Sequence, residues 1–224
     1  MRKFRLTRLN KIVTGIKVSR IQALKDFANV KAGDLGGWVQ SEHNLSHNGN
    51  CWIYDDACAI EYSGVRGNAS MHENSFISEH AKLWGNSSIH DNSKLRNRTT
   101  LWNNSTLYNN ACLLGDISLI YNACVYGNIK LSGTFYLAKD AYVGHLNEIL
   151  IFKNIELHDL AIYKNFSGIG VTHGEFNGTL GEFINSLKAR YWNNKKILKK
   201  YKSRIDYSVN NILNGMKNKN VYKD

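Results

Sequence analysis

From residue 53 to residue 155 the chain places an apolar side chain at every sixth position. The series runs Ile53, Ala59, Val65, Met71, Ile77, Leu83, Ile89, Leu95, Leu101, Leu107, Leu113, Leu119, Val125, Leu131, Leu137, Val143, Ile149, Ile155. Four residues after each, the side chain is usually small: Ala57, Ser63, Ala69, Ser75, Ala81, Ser87, Ser93, Thr99, Ser105, Ala111, Ala123, Ala141. The positions between are often Asn, Gly or Asp, as in Gly67-Asn68, Gly85-Asn86, Asn103-Asn104 and Gly127-Asn128.

Six residues make one short strand and one corner. The aliphatic residue points to the axis, and the small residue sits inside the next corner, where a larger one would strike the wall. Asn, Gly and Asp tolerate the left-handed backbone angles of a bend. Three hexads close a triangular coil of about 18 residues, and stacked coils rise by the ~4.8 Å sheet spacing. The pattern predicts an all-β protein, a single-stranded parallel β-helix of about six triangular coils, roughly 29 Å tall. A β-sandwich would not hold this phase, and a pentapeptide solenoid would need period five.

The ends break the period. Residues 1–50, with a turn at Gly15 and the run Gly33-Asp34-Leu35-Gly36-Gly37-Trp38-Val39, predict an N-terminal capping region of short strands. The β-helix is expected over 51–166, a linker over 167–177, and a basic amphipathic helical region over 178–224. There Ile197, Leu198, Tyr201, Ile205, Val209, Ile212, Leu213 and Met216 recur at three to four residues, suggesting a helix that caps the last coil or lies along a prism face. The tail 217–224 is expected to fray.

The formal net charge is +11. It divides as +6 over residues 1–44, −2 over 45–173 and +7 over 174–224. The basic residues therefore decorate the ends of a near-neutral prism. Lys195, Lys196, Lys199, Lys200, Lys202 and Arg204 are candidates for binding a nucleic acid or an acidic surface. No apolar run approaches the ~20 residues of a membrane span. The basic start MRKFRLTRLNK lacks a signal peptide's apolar stretch, so a cytoplasmic location is expected. Cys51, Cys58, Cys112 and Cys124 form no C-x-x-C pair and read as reduced packing residues.

Residues eighteen apart should stack. The residue after each inward aliphatic points outward, giving one wall of Tyr54, His72, His90, Tyr108 and Tyr126, and a second with Arg66, Trp84 and Trp102. Such apolar walls are candidate docking surfaces for a heterologous partner or for a second copy of the chain. His72, His80, His90 and His145 have no carboxylate or third metal ligand evident from spacing, and no loop interrupts the hexads to hold a general base. On this reading there is no catalytic residue, metal or cofactor, and the protein is not an enzyme.

The period-six spacing resembles that of left-handed hexapeptide-repeat β-helices, and the left hand is implied by that resemblance. Such proteins are frequently acyl-coenzyme-A-dependent acyltransferases, which use a histidine base at a subunit boundary and bind coenzyme A between prisms. More specifically, Arg20 to Phe27, Gly36-Gly37-Trp38-Val39, Asn44-Leu45-Ser46 and Gly49-Asn50-Cys51-Trp52-Ile53-Tyr54 resemble the opening of a bacterial and phage β-helix family sometimes called YdcK-like. That resemblance implies a phage-associated, cytoplasmic, non-enzymatic protein. The expected function is therefore an interaction or inhibitor protein acting on a host protein or nucleoprotein complex, such as a CRISPR-type defence effector. The alternatives are an acyl-coenzyme-A-dependent acyltransferase and a structural homo-oligomer.

Overall fold

The structure, a computed structural model, describes residues 2–219, with side chains as far as residue 215. Met216 and the tail expected to fray over 217–224 lie outside the described side chains. Two-residue strands recur along the chain and pair in parallel with strands eighteen residues away. Ser70–Met71 pairs with Ser88–Ile89, which pairs in turn with Thr106–Leu107. The result is a parallel β-solenoid of about six turns. One wall carries six rungs, from Trp52–Ile53 to Tyr142–Val143. The other two walls fuse, because the strand Cys112–Leu119 runs through a corner. It pairs at one end with Lys94–Leu95, at the other with Thr100–Leu101, and throughout with Lys130–Leu137.

Every aliphatic residue of the period-six series is buried, and the small corner residues are buried beside them. At the bends, backbone φ is positive two residues after the aliphatic. Glycine fills this place at Gly67, Gly85, Gly115, Gly127 and Gly133, but Asp55, Glu61, Glu73, Glu79, Asp91, Asn97, Asn103, Asn109, Tyr121 and Lys139 fill it elsewhere. A left-handed non-glycine residue costs about 1–2 kcal/mol. Hydrogen bonds between rungs offset this. The Asp55 carboxylate accepts the Glu73 amide at 3.0 Å, Glu73 accepts that of Asp91 at 2.9 Å, and Asp91 accepts that of Asn109 at 2.8 Å. One residue on, Asn68 donates to Asn86, Asn86 to Asn104, Asn104 to Asn122, and Asn122 to Asp140, at 3.1–3.2 Å. These ladders use part of an asparagine content of about one residue in eight. At Gly49 the backbones are so close that a Cβ would fall 2.3 Å from the Gly67 carbonyl oxygen.

At the N-terminal end, Phe4–Val13 and Ile16–Ala23 form a hairpin turned at Thr14-Gly15. Leu35–Val39 pairs antiparallel with its second strand and parallel with Cys58–Ala59, so the hairpin sheet continues a prism wall. Phe4, Ile21, Ala23 and Val30 join the same core as Ile53 and Met71. Gly36 permits this packing, since a Cβ there would meet the Trp52 ring at 2.6 Å. Lys3 is fully buried, donating to the Cys51 carbonyl at 2.7 Å and the Gly49 carbonyl at 3.2 Å, and burial pushes its pKa down. The four cysteines are free thiols, and burial raises that of Cys58 to about 11.

The C-terminal end departs from the sequence reading. Ile149 and Ile155 keep the period-six phase, but they lie in a four-stranded antiparallel sheet of Ile149–Ile155, His158–Asn165, Gly168–His173 and Phe176–Thr179. The expected linker 167–177 is two of these strands. Six is a multiple of the strand period of two, so the hexad phase does not distinguish a coil from an ordinary strand. Two helices follow, α1 (Leu180–Arg190) and α2 (Lys195–Lys219). Thr179 Oγ1 accepts the Glu182 amide while Glu182 accepts the Thr179 amide, a reciprocal cap for α1. The helices bury Phe183, Leu187, Tyr201, Ile205 and Ile212 against Ile155, Leu160, Ile162 and Val171 of the sheet. They thus build a second core beyond the last coil and leave the aromatic walls uncovered. No helix among the described residues is long and apolar enough to cross a membrane.

Candidate functional site

The ring ladders form as the spacing requires. Tyr54 stacks on His72, and His72 on His90, with centroids 4.5 Å apart in each pair. Tyr108 stacks on Tyr126 at 5.4 Å. Two members were not legible as part of this wall: Tyr142 lies 4.5 Å from Tyr126, and Phe166 lies 4.5 Å from Tyr142. Tyr142 precedes its inward aliphatic instead of following it. The following residue is Gly144, where a Cβ would fall 2.3 Å from the Tyr126 ring. On the second wall Trp84 stacks on Trp102 at 5.2 Å, with the Arg66 guanidinium 5.3 Å from the Trp84 ring. Burial, with His90 beside it, holds the His72 pKa below its ordinary value. His90 approaches Glu73 at 3.8 Å.

Lys195, Lys196, Lys199, Lys200 and Lys202 lie along the exposed side of α2. Arg204 is half-buried, its guanidinium 5.7 Å from the Phe152 ring. This helix packs on the antiparallel sheet and the turn Leu146–Glu148, so the basic residues lie beyond the last coil, while Tyr54 and Arg66 belong to the first. The structure therefore does not merge the two predicted sets into one site. No cluster of three or more metal-ligating side chains occurs among the described residues.

Concave, chemically mixed surface lies elsewhere, at the seam between prism and antiparallel sheet. Tyr136 donates to the Phe176 carbonyl and Thr172 to the Tyr136 carbonyl, both at 2.6 Å, tying the sheet to the long strand Lys130–Leu137. A hollow of about 240 Å³ lies at this seam, lined by Asp116, Ser118, Thr134, Tyr136, His158 and Asp159. His158 opens the second strand of the sheet. A Cβ on Gly174 would fall 2.9 Å from its ring, so glycine there leaves room for the imidazole. The His158 imidazole makes no side-chain hydrogen bond or ion pair among the described residues and meets the His173 ring edge-on, with centroids 6.1 Å apart. Asp159 is already engaged by the Asn154 amide at 3.0 Å and by Lys153 at 3.5 Å.

The seam continues along the prism. Cys112, Leu114, Asp116 and Ser118 alternate on the outer side of one long strand, in register with Lys130, Ser132, Thr134 and Tyr136 on the other. From Leu114 to Ser118 this track covers roughly 13 Å of strand. At its far end a hollow of about 390 Å³ is lined by Lys94, Arg96, Lys130, Cys112 and Leu114. Its three cations have no carboxylate within ion-pair distance among the described residues. A basic hollow, an outward strand track and an unpaired histidine thus follow one another along the surface. Hexad spacing does not group this set, because His158 lies in the antiparallel sheet beyond the last coil.

No protein-family model matches the chain. It is similar to a protein of Escherichia coli (strain K12) named "Uncharacterized acetyltransferase YdcK", with 37% identity over 73 residues, covering 29% of this chain and 22% of that protein. The match thus spans about a fifth of the length of that protein. The likeness to a protein named as an acetyltransferase overturns two expectations, that the chain is not an enzyme and that it is a phage-derived inhibitor of a host defence machine. It gives the phage association no support. Among the described residues no loop leaves the coils, but the antiparallel sheet stands against the last coil and brings His158 beside it.

Proposed function

We propose that the chain is an acyltransferase that takes its acyl group from a coenzyme A thioester, with His158 as general base. The observation that carries this reading is the likeness of the chain to a protein named as an acetyltransferase. The geometry adds support. Lys94, Arg96 and Lys130 form an unpaired cationic hollow suited to the phosphates of coenzyme A. The outward track of Cys112–Leu119 and Lys130–Leu137 leads from it to His158, as a long thin pantetheine arm requires. In the reaction the imidazole takes a proton from the attacking amine or hydroxyl as its heteroatom bonds to the thioester carbonyl. The C–S bond then breaks, and the leaving thiolate recovers a proton as free coenzyme A. Ser118, Thr134 and Tyr136 offer hydroxyls beside the path.

Calorimetry with acetyl-coenzyme A tests this reading. Micromolar binding is expected in the native chain, with a loss of about tenfold or more when Lys94, Arg96 and Lys130 are replaced together by Gln. His158→Ala should bind the thioester unchanged but release no thiol in the presence of an acceptor. Absence of binding at millimolar acetyl-coenzyme A sinks the reading. A separate role for the tryptophan wall is favoured by the exposure of Trp102, which is 41%. We read that wall as a packing surface for a second copy, to be tested by light scattering of a chain carrying Trp84→Glu and Trp102→Glu.

A further inference from the structure

Behind His158, on the side away from the prism, lies a second cavity of about 440 Å³ between the antiparallel sheet and the two helices. His158 and Gly174 line both this cavity and the seam hollow. Its charges are arranged unusually. Glu156 and Glu175 line it, and so does Arg190 from the end of α1, yet none of them makes an ion pair among the described residues. All three side chains are exposed to solvent at the cavity wall.

The Glu156 carboxylate is fixed by neutral donors. The Tyr201 hydroxyl donates to its Oε2 at 3.0 Å, and the Tyr191 hydroxyl donates to the same oxygen. Tyr201 is 1% exposed, and burial together with this carboxylate pushes its phenol pKa up, so it remains a donor at neutral pH. The Arg190 guanidinium lies 6.0 Å from the ring of Tyr191, the residue whose hydroxyl donates to Glu156, and both Arg190 and Glu156 line the cavity.

The backbone is strained at the same point. Ile155 pairs with His158, which leaves Glu156 and Leu157 as a two-residue hairpin turn with φ of 49° and 76°. That turn favours Asn and Gly, and a left-handed Leu costs about 1–2 kcal/mol. Leu157 is 93% exposed and recovers nothing by packing. What the turn achieves is the placement of Glu156 beneath two tyrosine hydroxyls, and strain of this kind collects at binding sites.

We infer that this cavity binds a small zwitterion of the free amino-acid type, its ammonium on Glu156 and its carboxylate on Arg190. The ligand is the acyl acceptor, and that role rests on the transferase reading, whereas the binding itself does not. Held in this way, the amino group lies in the cavity that His158 also lines. Transfer would form the C–N bond of an N-acyl amino acid as the thioester C–S bond breaks. His158 would take one proton from the ammonium, freeing the nitrogen lone pair for attack, and the second N–H proton, lost as the C–N bond forms, would pass to the departing sulfur as the thiol.

The test is calorimetry and thermal shift on the full chain with a panel of free α-amino acids, the amines obtained by decarboxylating them, and spermidine. At least one amino acid should bind, about tenfold or more tighter than its decarboxylated amine. Glu156→Gln should weaken it by about tenfold or more, and Arg190→Gln should erase the preference over the amine while leaving amine affinity unchanged. The inference falls if no amino acid binds at millimolar concentration, if amine or spermidine binds as well as the amino acid, or if Glu156→Gln binds normally. Should a variant fail to fold by circular dichroism, the comparison of ligands in the native chain still decides. Acetyl-coenzyme A is titrated in parallel. Thioester binding without amino-acid binding sinks this inference alone. The converse sinks the transferase reading and leaves the zwitterion site standing.

Discussion

The prism and the sheet-and-helix unit beyond it are held together in different ways. In the prism each contact is repeated one rung away: aliphatic on aliphatic, ring on ring, asparagine on asparagine, all eighteen residues apart. In the C-terminal unit each contact occurs once. Glu156 is held by two tyrosines, Tyr136 is clamped to Phe176, and Phe183 packs edge-on to Tyr201 at 5.8 Å. Repetition makes a straight, regular wall. The unpaired histidine and the two cavities it lines lie where a track of repeated strands meets a sheet with its own register.

The joint between the regions offers the largest test. Glu148 is buried, accepts the Gly144 and His145 amides at 2.7 and 3.1 Å, and receives Lys164 from the sheet at 3.1 Å. Glu148→Ala leaves those donors without a partner in a buried place. A loss of about 3–5 kcal/mol in urea unfolding is expected, and a change below about 1 kcal/mol would mean that the joint is not held this way.

Next come the two cores. Leu101→Ala in the middle of the prism and Leu160→Ala in the sheet each remove a fully buried side chain. Each should cost about 2–5 kcal/mol. Amide exchange should separate them, with Leu101→Ala exposing amides several rungs to either side and Leu160→Ala exposing only those from residue 149 onward. Identical exchange patterns would show one cooperative unit and dissolve the contrast.

A smaller effect belongs to the polar ladders. Asn86 both donates and accepts in its row, at 3.1 Å on each side. Asn86→Ala should cost about 1 kcal/mol, because the row is exposed and water substitutes. A loss as large as that of Leu101→Ala would mean that the corners, not the core, hold the coils together.

The smallest effect is a dependence on pH. Burial beside His90 holds the folded pKa of His72 below the ordinary histidine value of 6.5. The unfolded chain therefore binds the proton more readily. The contribution of neutral His72 is fully present above about pH 6.5 and is lost as pH falls through the lower folded value. Melting temperature should drop over that acidic range, and the drop should shrink in His72→Phe. An unchanged profile would assign the acid sensitivity to other groups.

Much of the prism was legible because it is a local code read many times. Ile53 to Val143 announce the axis, and Tyr54/His72/His90 and Trp84/Trp102 follow from arithmetic on the same phase. The phase misled at Ile149 and Ile155, since a period of six also suits a plain strand. The strands within 167–177 were hidden by Gly168, Gly170 and Gly174, which read as a loop. Gly170 in fact makes room for a neighbouring ring, since a Cβ there would meet Tyr163 at 2.5 Å. Tyr142 and Phe166 escaped the ring ladder because Gly144 shifts the wall by two positions.

The amino-acid order by itself determined the coil, its closure by three hexads, the small corners and the stacking of rings, since each depends on neighbours six or eighteen residues away along one chain. Only the tertiary structure decided that Glu156, Arg190 and Tyr201 line one cavity and that His158 lies beside the prism track. Those residues come from separate elements, and no periodicity links them. Their meeting depends on how the antiparallel sheet docks against the last coil through Tyr136, Thr172 and Glu148, a contact made once and repeated nowhere.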